Sequence, residues 1–221
     1  YYRYLQVIEN KFVKEHNLER RSKKFTCLNR ADKAHRKIYA SYMYTMDILK
    51  HGYFSYTGYK YHTSHKGLDD ISQWIDFDDS LQQDLLGFEL NVPFHCDDLS
   101  DSEHNNHKLV NHDFFRDAYF NFVVETHFDN NTCFITEKTF KPILNLQPFI
   151  IIGNPGSLQL LRDLGYKTFH DVIRETYDDE QDHKQRMTSL LKISYDLTQL
   201  TDKHHIRIQP IICLLYTSDA A

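Results

Sequence analysis

Short, almost wholly apolar runs alternating with helical stretches constrain this chain most. "FNFVVET" (120–126) and "PFIIIG" (148–153) are too short for ordinary helices and carry apolar residues on both faces. Such runs fit strands covered on both sides. A helical stretch separates them, so they read as parallel strands joined by a crossover.

The same alternation stands upstream. "KKFTCLN" (23–29) reads as a strand and "YFSYTG" (53–58) as another. Between them, 35–52 reads as an amphipathic helix with Ile38, Tyr42, Met46 and Leu49 in one stripe and Gly52 as its C-terminal cap. Further on the pattern gives a helix over 112–119, a short helix over 157–165, a small strand "YKTF" (166–169) and a long charged helix over 178–200. The fold class is α/β: a Rossmann-like parallel sheet with helices on both faces. Residues 1–22 read as a charged helix with Tyr4, Leu5, Ile8, Phe12 and Val13 on one face, linking to a preceding domain. The stretch 59–111, rich in His, Asp, Asn and Ser, reads as an irregular insertion or lid within a domain spanning 23–212.

Composition narrows the function. With 221 residues, 41% of them hydrophobic, a sizeable core can form. A net charge of −5 argues against a general nucleic-acid binder but leaves room for a local basic pocket. The longest apolar run, 148–153, is far too short to span a bilayer. Four cysteines without CxxC pairing or zinc spacing read as free thiols. The chain starts at Tyr1, and Cys213–Ala221 resembles the translation of a transposase adapter used to prepare sequencing libraries. The expectation is a piece of a longer protein with a non-native tail at 213–221, located in the cytoplasm.

"FITEKTFKPI" (134–143) breaks local rules. Thr136 suits a helix N-cap and Glu137 the first turn. Lys138 does not, because the positive end of the helix dipole disfavours a cation there unless an anion lies near. Lys141 adds a second cation three residues on, next to Glu137 at a spacing of four. Pro142 should distort the helix. One reading is an anion or phosphate site at a helix start; the other is capping plus surface charge. Glu125, at the end of its strand, comes to the same carboxyl edge, where open α/β sheets bind ligands.

Other candidates are weaker. His104, His107 and His112 among Asp97, Asp98, Asp101 and Asp113 lack regular metal-ligand spacing, and no metal site is expected. "DFDD" (76–79) reads as a solvated loop and "YDDEQD" (177–182) as a solvated helix start. There is no Gly-rich phosphate loop and no nucleophile elbow.

"FVVETHFDNNTCFITEKTFKPILNLQPFIIIG" (122–153), with Thr-Glu-Lys inside it, resembles the donor-binding motif of the family 10 glycosyltransferases, the α1,3/4-fucosyltransferases. "KKFTCLNRADKAHRKIYASY" (23–42) resembles that family's first donor-domain strand and helix, and parts of 134–173 also look like bacterial and viral glycosyltransferase-like proteins. The resemblance covers roughly 23–58 and 112–170. It implies the donor half of a GT-B fold and transfer of a sugar from a nucleoside-diphosphate sugar to a glycan or other hydroxyl acceptor, without a metal or other cofactor. Arg36 and Lys138 would then hold the diphosphate and stabilise it as it departs. Glu137 would accept hydrogen bonds from the ribose. Asn29, Glu125, Thr126, Thr136 and Lys141 would complete the pocket. The family's Asn-Ser after the strand-end Glu is Thr126-His127 here, and Pro142 is a departure too, so fucose does not follow as the donor sugar. The general base would lie in an acceptor domain preceding Tyr1. A non-catalytic nucleotide-binding or interaction domain of the same fold is the alternative.

Overall fold

A computed structural model describes residues 20–59, 79–97, 111–129 and 132–201. The expected helix at 1–22, most of the histidine–aspartate cluster, most of "DFDD" and the 213–221 tail lie outside the described residues.

Four strands form one all-parallel sheet in the order β2-β1-β3-β4: β1 (Lys23–Ala31), β2 (Gly52–Tyr59), β3 (Ala118–Val124) and β4 (Phe149–Ile152). The helices are α1 (Ala34–Thr45), α2 (Asp79–Asn91), α3 (His112–Arg116), α4 (Glu137–Leu144), α5 (Ser157–Asp163) and α6 (His183–Gln199). This is the α/β, Rossmann-like arrangement. Every residue of β3 and β4 is buried, as the unbroken apolar runs require.

Alternation along the strands sorts the core into two layers. Phe25 of β1 stacks on Phe122 of β3 at 4.9 Å between ring centroids, and Tyr39 of α1 meets Phe122 edge-on. The Tyr39 hydroxyl lies 2.6 Å from Ser194 Oγ, tying α1 to α6. On the opposite face Thr26 and Asn121 share the amide of Gln147, and Thr139 of α4 reaches Glu125. The chain leaves β1 toward β2 on one side and later places β3 on the other. The junction of β1 and β3 is therefore the topological switch point, where such sheets open a crevice at their carboxyl edge.

Several boundaries differ from the sequence reading. The first helix ends at Thr45, and Leu49–His51 forms a separate 3₁₀ turn, because Asp47 takes a left-handed conformation with φ 54°. Gly52 is not the C-cap of that helix. It opens β2, where a Cβ would sit 2.4 Å from the Phe25 ring. The 59–111 stretch is not irregular throughout. It contains α2, whose Leu85 and Phe88 pack inward while Leu86 and Leu90 stay exposed, so the apolar stripe is thin. "YKTF" pairs with no strand among the described residues. Phe169 instead packs edge-on against Phe149, and its amide donates to Glu175 Oε1 at 2.6 Å. The long helix starts at His183, capped by Asp182, rather than at 178. No described helix is long and apolar enough to cross a membrane.

Candidate functional site

The helix after β3 begins as its sequence dictates. Thr136 is the N-cap of α4, and its Oγ1 accepts from the Lys138 amide at 3.3 Å. Pro142 lies inside α4, lacks an amide to donate to the Lys138 carbonyl, and the helix stops after Leu144.

Glu125 is the hinge of the site. It is fully buried at the carboxyl end of β3. Oε1 accepts from the Thr136 amide at 2.9 Å and from Thr139 Oγ1 at 2.6 Å. Oε2 accepts from Thr136 Oγ1 at 2.7 Å and from the Thr126 amide at 3.2 Å. A buried carboxylate with four donors is well compensated. Its side chain thus fixes the start of α4 and has no free face for a ligand.

The main-chain carbonyl of Glu125 fixes the start of α1. His35 Nε2 lies 3.0 Å from it, and Arg36 donates from Nε at 3.3 Å and Nη2 at 3.1 Å. Burial above all, with the nearby Arg36 charge, pushes His35 down to about 3. The ring is therefore neutral, and a carbonyl partner requires the proton on Nε2. One residue thus ties two helix starts together.

Lys33 joins the same junction. It occupies the N-cap position of α1, offers no side-chain cap, and the first turn holds no acidic residue. Its Nζ donates to the Thr126 carbonyl at 2.8 Å. Burial first, then the charges of Arg36 and Lys138, lower its pKa from the usual lysine value, while Asp129 acts in the opposite sense. Lys138 is partly exposed and donates to Glu137 Oε1 at 2.9 Å and Thr136 Oγ1 at 3.2 Å. Lys141, one turn on, is half-buried and also lowered, by burial and by Lys138, with Glu137 opposing.

Hydrogen bonds therefore gather Arg36, Glu125, Thr126, Thr136, Glu137 and Lys138, with Lys141 electrostatically coupled to them. Asn29 stands near the carboxyl end of β1, 3% exposed, with Nδ2 donating to Cys27 Sγ at 3.3 Å. Its Oδ1 is buried and has no hydrogen-bond partner among the described residues. Arg36 is also 3% exposed, and its charge acts on Lys33 as that of Lys138 does.

The sequence reading missed Lys33, His35, Thr139 and Arg186. Arg186 lies over the Phe128 ring at 4.4 Å and donates to the Phe128 carbonyl, anchoring the β3–α4 loop to α6. Lys33 carried a usable signal, the same misplaced cation at a helix start that singled out Lys138. His35 and Arg186 carried none, since the partners that matter, the Glu125 and Phe128 carbonyls, are distant in sequence. Among the described residues no group of three or more His, Cys, Asp or Glu side chains is placed to hold a metal ion.

No family model, curated protein or solved structure matches this chain.

Proposed function

We propose that this chain is the donor-binding domain of a GT-B glycosyltransferase resembling the α1,3/4-fucosyltransferases, and that the crevice between β1 and β3 takes the diphosphate of a nucleoside-diphosphate sugar. The observation that carries the reading is the convergence of two cation-bearing helix starts on Glu125 at the switch point. Helix N-termini with lysines are suited to phosphate. In the transfer, the bond from the sugar's anomeric carbon to the diphosphate breaks and a bond to an acceptor hydroxyl forms. The acceptor proton passes to a base in an acceptor domain. Lys138 stabilises the negative charge left on the diphosphate, and Arg36, held on the Glu125 carbonyl, adds its charge. Glu137 accepts from the ribose, and Asn29 supplies a buried acceptor.

A structural reading has its own support. Glu125 and Thr136 cap α4, and Arg36 spends donors on a main-chain carbonyl. Titration calorimetry separates the two. With GDP, UDP and pyrophosphate, the donor-site reading expects binding at submillimolar concentration and a loss of about ten- to a hundredfold in Lys138→Ala. Glu137→Ala should weaken the nucleotides more than pyrophosphate. No nucleoside-diphosphate binding at millimolar concentration leaves the capping role as the whole account.

A further inference from the structure

Building on the donor-site reading, we propose that Lys33 is a second anion-contacting residue, facing Lys138 across the crevice, and that each lysine takes one phosphoryl group so that the site selects diphosphates over monophosphates.

The geometry comes from a continuous run of hydrogen bonds. Lys33 Nζ donates to the Thr126 carbonyl. The Thr126 amide donates to Glu125 Oε2, which accepts Thr136 Oγ1 as well, and Thr136 Oγ1 in turn receives Lys138 Nζ. Two ammonium groups therefore stand at the ends of one short bonded path, each beside a different helix start. The helix behind Lys33 has twelve residues, and that behind Lys138 has eight. Only one of the three ammonium protons of Lys33 is committed to Thr126, which leaves donors for a ligand oxygen.

Charge points the same way. The N-cap position normally takes Ser, Thr, Asp or Asn, and acidic residues favour the first turn. The start of α1 has Lys33 at that position and no acid in its first turn. Of the neighbouring carboxylates, Asp32 accepts from Tyr56 at 2.7 Å and faces Lys37 at 3.5 Å, Glu125 is taken up by four donors, Glu137 accepts from Lys138 at 2.9 Å, and Asp129 is exposed on the loop. An arriving anion would relieve the mutual repulsion of Lys33, Arg36 and Lys138.

An independent observation is the unpartnered Oδ1 of Asn29. Asn29 bonds Cys27, whose thiol feels the Arg36 charge, so it lies on the α1 side of β1. A buried acceptor without a donor is costly. A ligand hydroxyl, on a sugar or a protonated phosphate, would satisfy it.

The test measures inorganic pyrophosphate and inorganic phosphate binding to the whole chain by calorimetry. Wild type should bind pyrophosphate more tightly than phosphate. Lys33→Gln should weaken pyrophosphate at least tenfold while changing phosphate by less than threefold, and Lys33→Arg should retain most of the pyrophosphate affinity. A merely structural Lys33 would lower both ligands alike, and that outcome, or no change in either, overturns the proposal while Lys138→Ala still reports on the donor site. Binding of neither ligand by wild type removes the donor-site reading and this proposal with it. Amine labelling of wild type supplies a check that needs no variant: pyrophosphate should protect both Lys33 and Lys138, and phosphate only Lys138. Equal protection of Lys33 by both ligands would also overturn it.

Discussion

Two helix starts at the same edge of the sheet are finished in opposite ways. At α5, which follows β4, the buried carboxylate of Asp178 accepts from the Leu158 amide at 2.9 Å and the Gln159 amide at 3.0 Å. Arg162 lies 3.9 Å from that carboxylate and pairs with Glu175 at 3.2 Å. The positive end of α5 is thus neutralised from within the chain. At α1, which follows β1, no side chain caps the helix, and Lys33 stands at the N-cap. A fold able to supply an internal carboxylate at one helix start has gathered cations at another. The contrast sets a junction closed by an internal carboxylate beside one for which an anionic partner is proposed.

The largest effects should come from carboxylates that close junctions. Glu125→Ala would strand the Thr136 amide and the hydroxyls of Thr136 and Thr139, all of them bonded to the lost carboxylate. Removing one partner of a buried charge network costs about 3–5 kcal/mol, so chemical denaturation should show a loss of that size. Asp178→Ala removes a cap with two amide partners and should cost roughly 2–3 kcal/mol. Asp178→Asn keeps an acceptor and should recover most of it. If both substitutions at 178 were neutral, α5 would not be closed by this carboxylate and the comparison would fail.

Acid should act through His35, beneath the cationic junction. Its folded pKa, about 3, lies below the unfolded value of 6.5. The unfolded chain therefore binds the proton first. Stability from this group is complete above about 6.5 and is lost as pH falls toward 3, at up to about 1.4 kcal/mol per pH unit. Burial of Asp178 raises its pKa above the usual carboxylate value, so its contribution has the opposite sign: stability declines as pH rises from the ordinary carboxylate value through the raised folded one. Subtracting the stability–pH profile of His35→Gln from that of wild type should leave a slope below pH 6.5. A flat difference would show that the imidazole is not buried neutral.

The two junctions were unequally legible in the sequence. The strands were plain, because runs such as "FIII" have no polar face to give to solvent. Thr136 was readable as a cap because its partner, the Lys138 amide, is two residues away. The Asp178 cap was not, since its target lies 20 residues back and only tertiary packing joins them. "YDDEQD" looked like a solvated helix start, yet Asp178 is buried and only Asp182 caps the helix that follows. Helix α2 was hidden by the sparseness of its buried stripe, and the early end of α1 by an aspartate taking the left-handed conformation that a glycine normally signals. Lys138 was visible as a misplaced charge. Lys33 was equally misplaced, but its significance came from the Thr126 carbonyl, which a different segment delivers.

The smallest expected effect sharpens the comparison most. If the cations around α1 and α4 serve an anion, they should bring the empty chain little stability. Among the described residues Lys138 pairs with its neighbour Glu137 and with Thr136 and no other, and its side chain is 29% exposed. Such a pair contributes a few tenths of a kcal/mol. Against that stand the dipole of α4 and the charges of Lys33 and Lys141, each disfavouring a cation there. Lys138→Gln should therefore leave stability unchanged or raise it by up to about 0.5 kcal/mol at low salt, and the gain should fade as salt screens it. Pyrophosphate should raise the melting temperature of wild type and do so much less for the variant, since a ligand stabilises only the state that binds it. A loss above about 1 kcal/mol in Lys138→Gln without ligand, with equal pyrophosphate shifts in both proteins, would place Lys138 beside Asp178 as a structural residue.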